Sequence, residues 1–441
     1  MTDQTPAAVV MAAGLGTRMR SKVPKHLHPL LGRRLVDWVI GDAQAAGCDP
    51  VVVVTSPDAR DAFDGVTVAV QEQPLGTGDA VRAARKALAG FDGEVLVLNG
   101  DVPGLTARLL DDLVATHRRE HAVATVLSFE PPDVRAYGRI VRDGDGHLAR
   151  IVEAGDASSD ELELREVNSG IYVFEAAQLW PALDRLEPHN AQGELYVTDT
   201  LGFLVADGHD VAVHRAPDPF EVEGINTRAE FAAAAAGLRD RINEQHMLAG
   251  VTIVDPATTW IEPDVEIEAD VTIHPFTYLR GSTRVASGAE IHSHTVAVDA
   301  EIGAGAVVGP FCYLRPGTVL GADSKAGTFV EIKNSRIGPK AKVPHLSYLG
   351  DAEVGEDSNI GAGAITANFP HKPGRPKGRT KIGKNVRTGV HNAFVAPVEV
   401  SDGAWTAAGS VITKDVPEDS LAVARARQEN KEGYAARHRN D

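Results

Sequence analysis

The sequence predicts an α/β domain with a Rossmann-like sheet, followed by a parallel β-helix. Three observations carry that prediction. Short apolar runs alternate with helical segments in the first half, and a six-residue aliphatic period fills the second. The composition joins 43 Gly and 25 Pro to only 5% aromatic residues. Strand–helix alternation implies a parallel sheet with helices on both faces. A six-residue period implies coils of three short strands, with aliphatic side chains stacked inside and Gly-rich corners. Large rings would not fit repeatedly in so narrow a core, which accounts for the scarcity of aromatics.

Residues 8–11, 51–54 and 94–98 are apolar runs of the kind buried on both faces of a sheet. Residues 35–47 and 78–88 read as helices between them. Ligands of such sheets sit beyond the carboxyl ends of the strands. That rule points to the residues after Met11, after Leu98 and around Asn168. An Ala-rich, Pro-free segment from Ala229 to Asn243 reads as a connecting helix. The expected division is therefore a first domain at 1–227, a linker helix at 228–249 and a β-helix at 250–441.

The six-residue period begins at Ile261 and continues through Ile267, Ile273, Leu279, Val285 and Ile291. After one change of phase it runs through Ile302, Val308, Leu314, Leu320, Ala326 and Ile332, and then with five-residue steps through Ile337, Val343, Leu349, Val354 and Ile360. An irregular stretch intervenes before Ile382, Thr388, Phe394, Val400, Thr406 and Ile412.

At 441 residues the chain is long enough for two or three separate cores. A formal net charge of −17 argues against general nucleic-acid binding, which needs a basic face. The first residues are polar and no apolar run approaches about 18 residues, so neither a signal peptide nor a membrane span is expected. Two cysteines favour a reducing, cytoplasmic setting.

Against that acidic background two basic stretches stand out. Met11-Ala12-Ala13-Gly14-Leu15-Gly16-Thr17-Arg18-Met19 ends the first strand, and six Lys/Arg with no acid lie between Arg18 and Arg34. Met19 stands where a dinucleotide fingerprint wants Gly, and the Gly-Lys-Ser/Thr of a Walker A loop is absent. What remains is a Gly-rich backbone that can approach phosphates, with Arg18 and Lys25 beyond it, which reads as a triphosphate site. Gln71 with Gly76-Thr77 can read a nucleobase edge by hydrogen bonding. Asp101, in Asn99-Gly100-Asp101 at a strand end, suits Mg²⁺, a hard ion that takes oxygen ligands. The second basic stretch, Lys372 through Arg387, supplies seven Lys/Arg, and no acid occurs between Gly361 and Val398. It reads equally as a solvated loop or as a seat for the phosphates of an anionic ligand.

The Gly-x-Gly-Thr-Arg-Met loop followed by Pro24-Lys25 resembles the signature of the sugar-nucleotide pyrophosphorylases. With the six-residue repeat behind it, nearly the whole chain is similar to the bifunctional enzymes that acetylate glucosamine-1-phosphate and then uridylylate the product. That resemblance implies UTP, N-acetylglucosamine-1-phosphate, glucosamine-1-phosphate and acetyl-CoA as substrates, and Mg²⁺ as cofactor. It also implies a homotrimer with a left-handed β-helix, and a product used in cell-wall, peptidoglycan and lipopolysaccharide synthesis.

Residue by residue, it implies a uridylyl site of Met11, Ala12, Ala13, Gly14, Arg18, Lys25, Gln71, Gly76, Thr77, Asn99, Gly100, Asp101, Gly138, Glu153, Asn168 and Asn226. Asp101 and Asn226 would hold the metal, and Arg18 and Lys25 would be catalytic. For acetyl transfer it implies His345 as general base, fitting a group that titrates near neutrality. Arg315, Lys333, Tyr348 and Asn359 would hold the sugar phosphate, and Ala362, Asn368, Phe369, Val390, Ala408 and Arg425 the acetyl-CoA. The chain departs from the family pattern in having Asn99 for Tyr, Phe369 for Tyr and Val390 for Ser, and in a longer loop after Asn368. The alternative is a monofunctional sugar-1-phosphate nucleotidyltransferase whose β-helix only trimerises.

Overall fold

The computed structural model describes residues 5–14, 16–134, 137–144, 146–188, 193–370, 374 and 376–439. The chain divides into two compact units, Met1–Leu238 and Arg239–Asp441, and the division falls within the helix Arg228–Leu248.

The first unit is built on one mixed sheet. Its main path runs Val211–Arg215, Ala124–Phe129, Val167–Glu175, Glu94–Asn99, Ala7–Ala12, Val51–Thr55, Thr67–Val70. Alternate residues face opposite sides, as strand geometry requires. Val9, Val52, Val54 and Val97 pack on Val81, Leu179, Leu183 and Leu201, from the helices Thr77–Ala83, Ala176–Asp184 and Thr198–Ala206. Val10, Val53 and Leu98 pack on Val36, Val39, Leu110 and Leu113, from the helices Leu35–Ala45 and Ala107–Arg119. The segment expected to be helical at 78–88 gives a shorter α-helix, Thr77–Ala83, completed by a single 3-10 turn, Ala84–Lys86.

The sheet is not wholly parallel. Val167–Glu175 runs antiparallel to both Glu94–Asn99 and Ala124–Phe129. The chain leaves Ala124–Phe129 at the carboxyl edge and makes the hairpin Arg139–Arg142 and Leu148–Val152 there. It has no crossover helix to carry it back to the amino edge, so the next strand must run the other way. Asn168, at the start of that strand, is thereby placed at the edge where the parallel strands end.

The second unit is a stack of short parallel strands in three principal sheets of six, nine and eight strands. Each inward side chain lies over the equivalent one a coil earlier, as in Leu314↔Ile332 and Ile332↔Leu349. Successive coils take 18 or 17 residues, and the change of phase falls where Leu279↔Ala297 is followed by Val285↔Ile302. Ala297 fills the inward slot that the aliphatic pattern skipped. The exception to full burial among the early slots is Ile267, which is half-buried. Phe394 is the one ring in the buried core of this unit among the described residues. One coil is expanded, with Val354 pairing with Ile382, 28 residues on. This is the parallel β-helix that the repeat predicts, consistent with the left-handed form.

Ile332 is wholly buried between Leu314 and Leu349. Replacing it by Ala should cost about 2–5 kcal/mol, because flanking coils fixed by their ladders cannot close the gap. Chemical denaturation followed by circular dichroism measures this. A loss below about 1 kcal/mol would mean that the coil collapses around the hole.

Candidate functional site

In the first unit the site grows from two strand ends. Met11 pairs with Val54 on one side and Asn99 on the other, and the Gly100 amide donates to the Met11 carbonyl at 2.9 Å. The chain after Ala12 opens into the Gly-rich loop, whose Leu15 lies outside the described residues. Gly16 adopts φ 57°, and a Cβ there would lie 2.6 Å from the Lys25 Cβ. Only glycine lets the loop pass so closely over Lys25. Lys25 is itself buried in the 3-10 turn Lys25–Leu27.

Four side chains from widely separated positions meet here. The Lys25 ammonium pairs with Asp101 Oδ2 and donates to Asn226 Oδ1 at 3.2 Å. Arg18 Nη2 donates to the same Asn226 oxygen at 2.8 Å. The Ile225 amide donates to the Asp101 carbonyl at 2.9 Å, tying the Asn226 segment to the strand end. Beside them a cavity of about 560 Å³ is lined by Arg18, Tyr137, Glu223, Gly224 and Asn226, among others. Asp101 and Asn226 present a carboxylate and an amide oxygen, which is a donor set that fits Mg²⁺.

The other expected uridylyl residues reach the same sheet edge. The Gln71 amide continues the ladder to the Thr55 carbonyl, and its side chain donates to the Gly76 carbonyl at 3.0 Å and to Asp79 at 2.9 Å. Thr77 Oγ1 accepts from the Val197 amide at 3.0 Å. Asn99 Nδ2 donates to the Ser169 carbonyl at 3.1 Å, and Gly170 leaves it room. Asn168 donates to the Tyr172 hydroxyl at 2.8 Å. Gly138 lies against Glu153, whose carboxyl is raised above its ordinary value by burial and by Asp199 and Asp156.

In the second unit the ladder decides which residues meet. Thr328 pairs with His345, whose carbonyl accepts from Gly363 next to Ala362. The Ala362 carbonyl accepts from His391, and the Val390 carbonyl from Gly409. His345, Ala362, Val390 and Ala408 therefore occupy one slot in four successive coils. Arg425 comes to the end of that row, its Cδ 3.8 Å from where a Gly409 Cβ would be.

Arg315 and Lys333 share another row, followed by Gly350. A Cβ on Gly350 would lie 2.3 Å from the Tyr348 hydroxyl and 2.7 Å from Asn368 Nδ2, so both groups converge over it. Asn368 donates to Asp351 at 2.5 Å, and Asn334 donates to the other oxygen of the same carboxylate at 2.6 Å. Asn359 stands in the row of Lys342 and Arg387, apart from the His345 row. Phe369 is 75% exposed.

Lys377, from the basic insertion, is marked by no spacing in the sequence. Its ammonium lies beside that of Lys333 and, with Arg315, holds Lys333 below its ordinary pKa. The signal available in the sequence was the acid-free run from Gly361 to Val398. Within the insertion, His371, Lys372, Pro373 and Arg375 lie outside the described residues.

The MobA-like NTP transferase domain family matches residues 8–200. "Bifunctional protein GlmU" of Streptomyces coelicolor is 48% identical, covering 100% of this chain and 96% of its own. The proteins of that name from Leifsonia xyli and Brevibacillus brevis are 49% and 45% identical, covering 100% and 97% of this chain. The chain belongs to the bifunctional GlmU family. Relatives that match along the whole length do not favour the monofunctional alternative. Within the GlmU family, the departures at Asn99, Phe369 and Val390 are accommodated by a hydrogen bond in the first case and by exposure in the other two. No helix among the described residues is long and apolar enough to cross a membrane.

His26, next to Lys25, supplies a pH test. Burial pushes its pKa down to about 4; Asp101 opposes the shift and Lys25 adds to it. The folded value lies below the unfolded 6.5, so neutral His26 contributes full stability above pH 6.5 and loses it as pH falls toward 4. The loss should reach about 3 kcal/mol. Denaturation of His26→Gln across that range should show a correspondingly flatter pH profile than the parent; identical profiles would contradict a buried neutral imidazole.

Proposed function

We propose that the first unit transfers a uridylyl group from UTP to N-acetylglucosamine-1-phosphate, and that the second acetylates glucosamine-1-phosphate with acetyl-CoA. The convergence of Arg18, Lys25, Asp101 and Asn226 carries the first assignment. Here both cations rest on the oxygens of Asp101 and Asn226. A triphosphate competes for those cations, and their transfer to phosphate frees the two oxygens for Mg²⁺. Asp101 and Asn226 would hold that ion, which supplies charge neutralisation at the phosphates when bound. The sugar phosphate then attacks the α-phosphorus and pyrophosphate leaves. Lys25 and Arg18 stabilise the charge that develops, so catalysis is positioning plus electrostatics.

In the second unit Arg315, Lys333 and Lys377 converge; Glu331 pairs with Arg315 and Asp351 lies beside the two lysines, and the three cations together suit the phosphate of glucosamine-1-phosphate. His345 takes a proton from the glucosamine ammonium, the freed amine attacks the thioester carbon, and the coenzyme A thiolate leaves. Ala362, Val390 and Ala408 continue the His345 row as a small-residue track for the pantetheine arm, with Arg425 at its end. We propose a homotrimer in the cytoplasm; both cysteines, Cys48 and Cys312, are free and buried, as a reducing compartment permits.

One assay following pyrophosphate and free thiol separately tests the assignment. Lys25→Ala or Asp101→Ala should lower pyrophosphate release by about a hundredfold or more while leaving thiol release intact. His345→Ala should do the reverse. If either variant lowered both activities together, the two-site reading would be wrong.

A further inference from the structure

The outer face of the β-helix carries a second cluster of chemistry-bearing side chains, near its start. His274 and His292 occupy one slot in consecutive coils, directly after the paired residues Ile273 and Ile291. Each is followed by the same turn. Thr277 Oγ1 donates to the His274 carbonyl at 2.8 Å, and Thr295 Oγ1 to the His292 carbonyl at 2.7 Å. The repeated turn presents both imidazoles alike, and the rings stack with centroids 5.0 Å apart and planes 23° apart.

Glu290 completes the cluster. Its Oε1 lies 3.0 Å from His274 Nε2 and 3.8 Å from His292 Nε2, and no two of the three ligand atoms are more than 4.8 Å apart. All three side chains are half-buried. A tetrahedral ion with bonds of about 2.0 Å sets neighbouring ligands about 3.3 Å apart, a value that the 3.0 and 3.8 Å separations bracket. A hydrogen bond between one imidazole and Glu290 accounts for the shorter distance. The shared slot and the ring stacking bring the second imidazole's Nε2 toward the same oxygen, so that all three donor atoms face one point.

The same slot in the next two coils holds Gly309 and Gly327, so the row itself adds no further side chain over the cluster. His345 lies three coils further on, at about 4.8 Å per coil, so the acetyl-transfer row is separate.

We propose that His274, Glu290 and His292 form a binding site for a divalent transition-metal ion, with Zn²⁺ as the expected occupant and one coordination position left open. Two imidazoles and one carboxylate are a borderline nitrogen–oxygen set. It suits Zn²⁺, Co²⁺ or Ni²⁺ and disfavours Mg²⁺, which takes oxygen ligands. The bound ion pins two adjacent coils to one another, and the open position takes water.

The test is a zinc titration against a competing chromophoric chelator, using the untagged full chain stripped of metal, in buffer containing Mg²⁺ to occupy oxygen-donor sites. The parent should bind one equivalent of Zn²⁺ more than His274→Ala/His292→Ala, and Glu290→Gln should bind it more weakly than the parent. Co²⁺ should give a visible absorption band with the parent that the double variant lacks. Both variants should keep pyrophosphate and thiol release, which reports that they fold. Equal zinc stoichiometry and affinity in the parent and the double variant would overturn the proposal. If the double variant does not fold, the size-conserving His292→Gln decides by the same titration: loss of the equivalent supports the site, and retention at unchanged affinity overturns it.

Discussion

A coil that returns the chain to the same ladder position, every 17 or 18 residues apart from the one expanded coil of 28, is the constraint on which the second unit depends. It makes residues remote in sequence consecutive in space. His345, Ala362, Val390 and Ala408 form a straight row for that reason alone, at about 4.8 Å per step. Arg315 and Lys333 follow the same rule one face away. The constraint has a cost at the corners, where the backbone turns through left-handed φ, unfavourable for bulky side chains by about 1–2 kcal/mol per residue. Phe276, His294, Phe311 and Phe329 accept it at one corner, with φ between 55° and 61°. Their rings stack at 4.8, 4.5 and 5.2 Å, a contribution of the same order, about 0.5–1.5 kcal/mol per pair. This corner is held by ring stacking where the others mostly use Asp, Asn or Gly, with Lys340 an exception.

The first unit rests on a different constraint, the edge at which parallel strands end. Met11, Asn99 and Gln71 reach it by strand direction alone. Asn168 reaches it because its strand runs backwards. The short return through the hairpin is therefore more than a topological irregularity: a crossover helix would have delivered Asn168 to the opposite edge of the sheet. Gly16 then fixes the remaining approach, since a Cβ at that position would displace the lysine around which Asp101 and Asn226 are arranged.

Much of this was legible in the sequence, for identifiable reasons. Inward slots of a narrow coil admit little besides aliphatic side chains, so Ile302 through Ile332 announce themselves. Strands buried on both faces read as continuous apolar runs. Other features leave no such trace. The direction of Val167–Glu175 is invisible, because an apolar run reads alike for a parallel or an antiparallel strand. Ala297 escaped the period because the step that follows it, to Ile302, is five residues rather than six, so no aliphatic residue at the six-residue step marks its slot. Asp351 carries no spacing signal, yet its carboxylate, which burial alone would push up, is held low by Asn334, Asn368, Lys377 and Lys333. Lys377 lay within a basic run, but spacing cannot tell where an insertion folds back.

The expanded coil shows how that last problem is solved. Both roots of the insertion are tied down. Gly378 donates to the Asn368 carbonyl at 3.0 Å, Asn368 is bound to Asp351, and Arg379 pairs with Glu353 at 2.5 Å. With its ends fixed, the insertion does not disturb the register, and Ile382 stacks on Val354 and under Val400 as in any other coil. Loop length then costs little, because closure entropy rises only slowly with added residues. Residues in the middle can change freely, while those at the roots cannot. Asn368 and Lys377 are root residues, and they are the two that reach the cluster around Lys333, Tyr348 and Asp351. The exposed Phe369 sits one step beyond the pinned root, where the coil imposes no packing demand on it. The insertion can therefore differ from the family pattern in length and in Phe369 while the chemistry-bearing positions remain set by the coil.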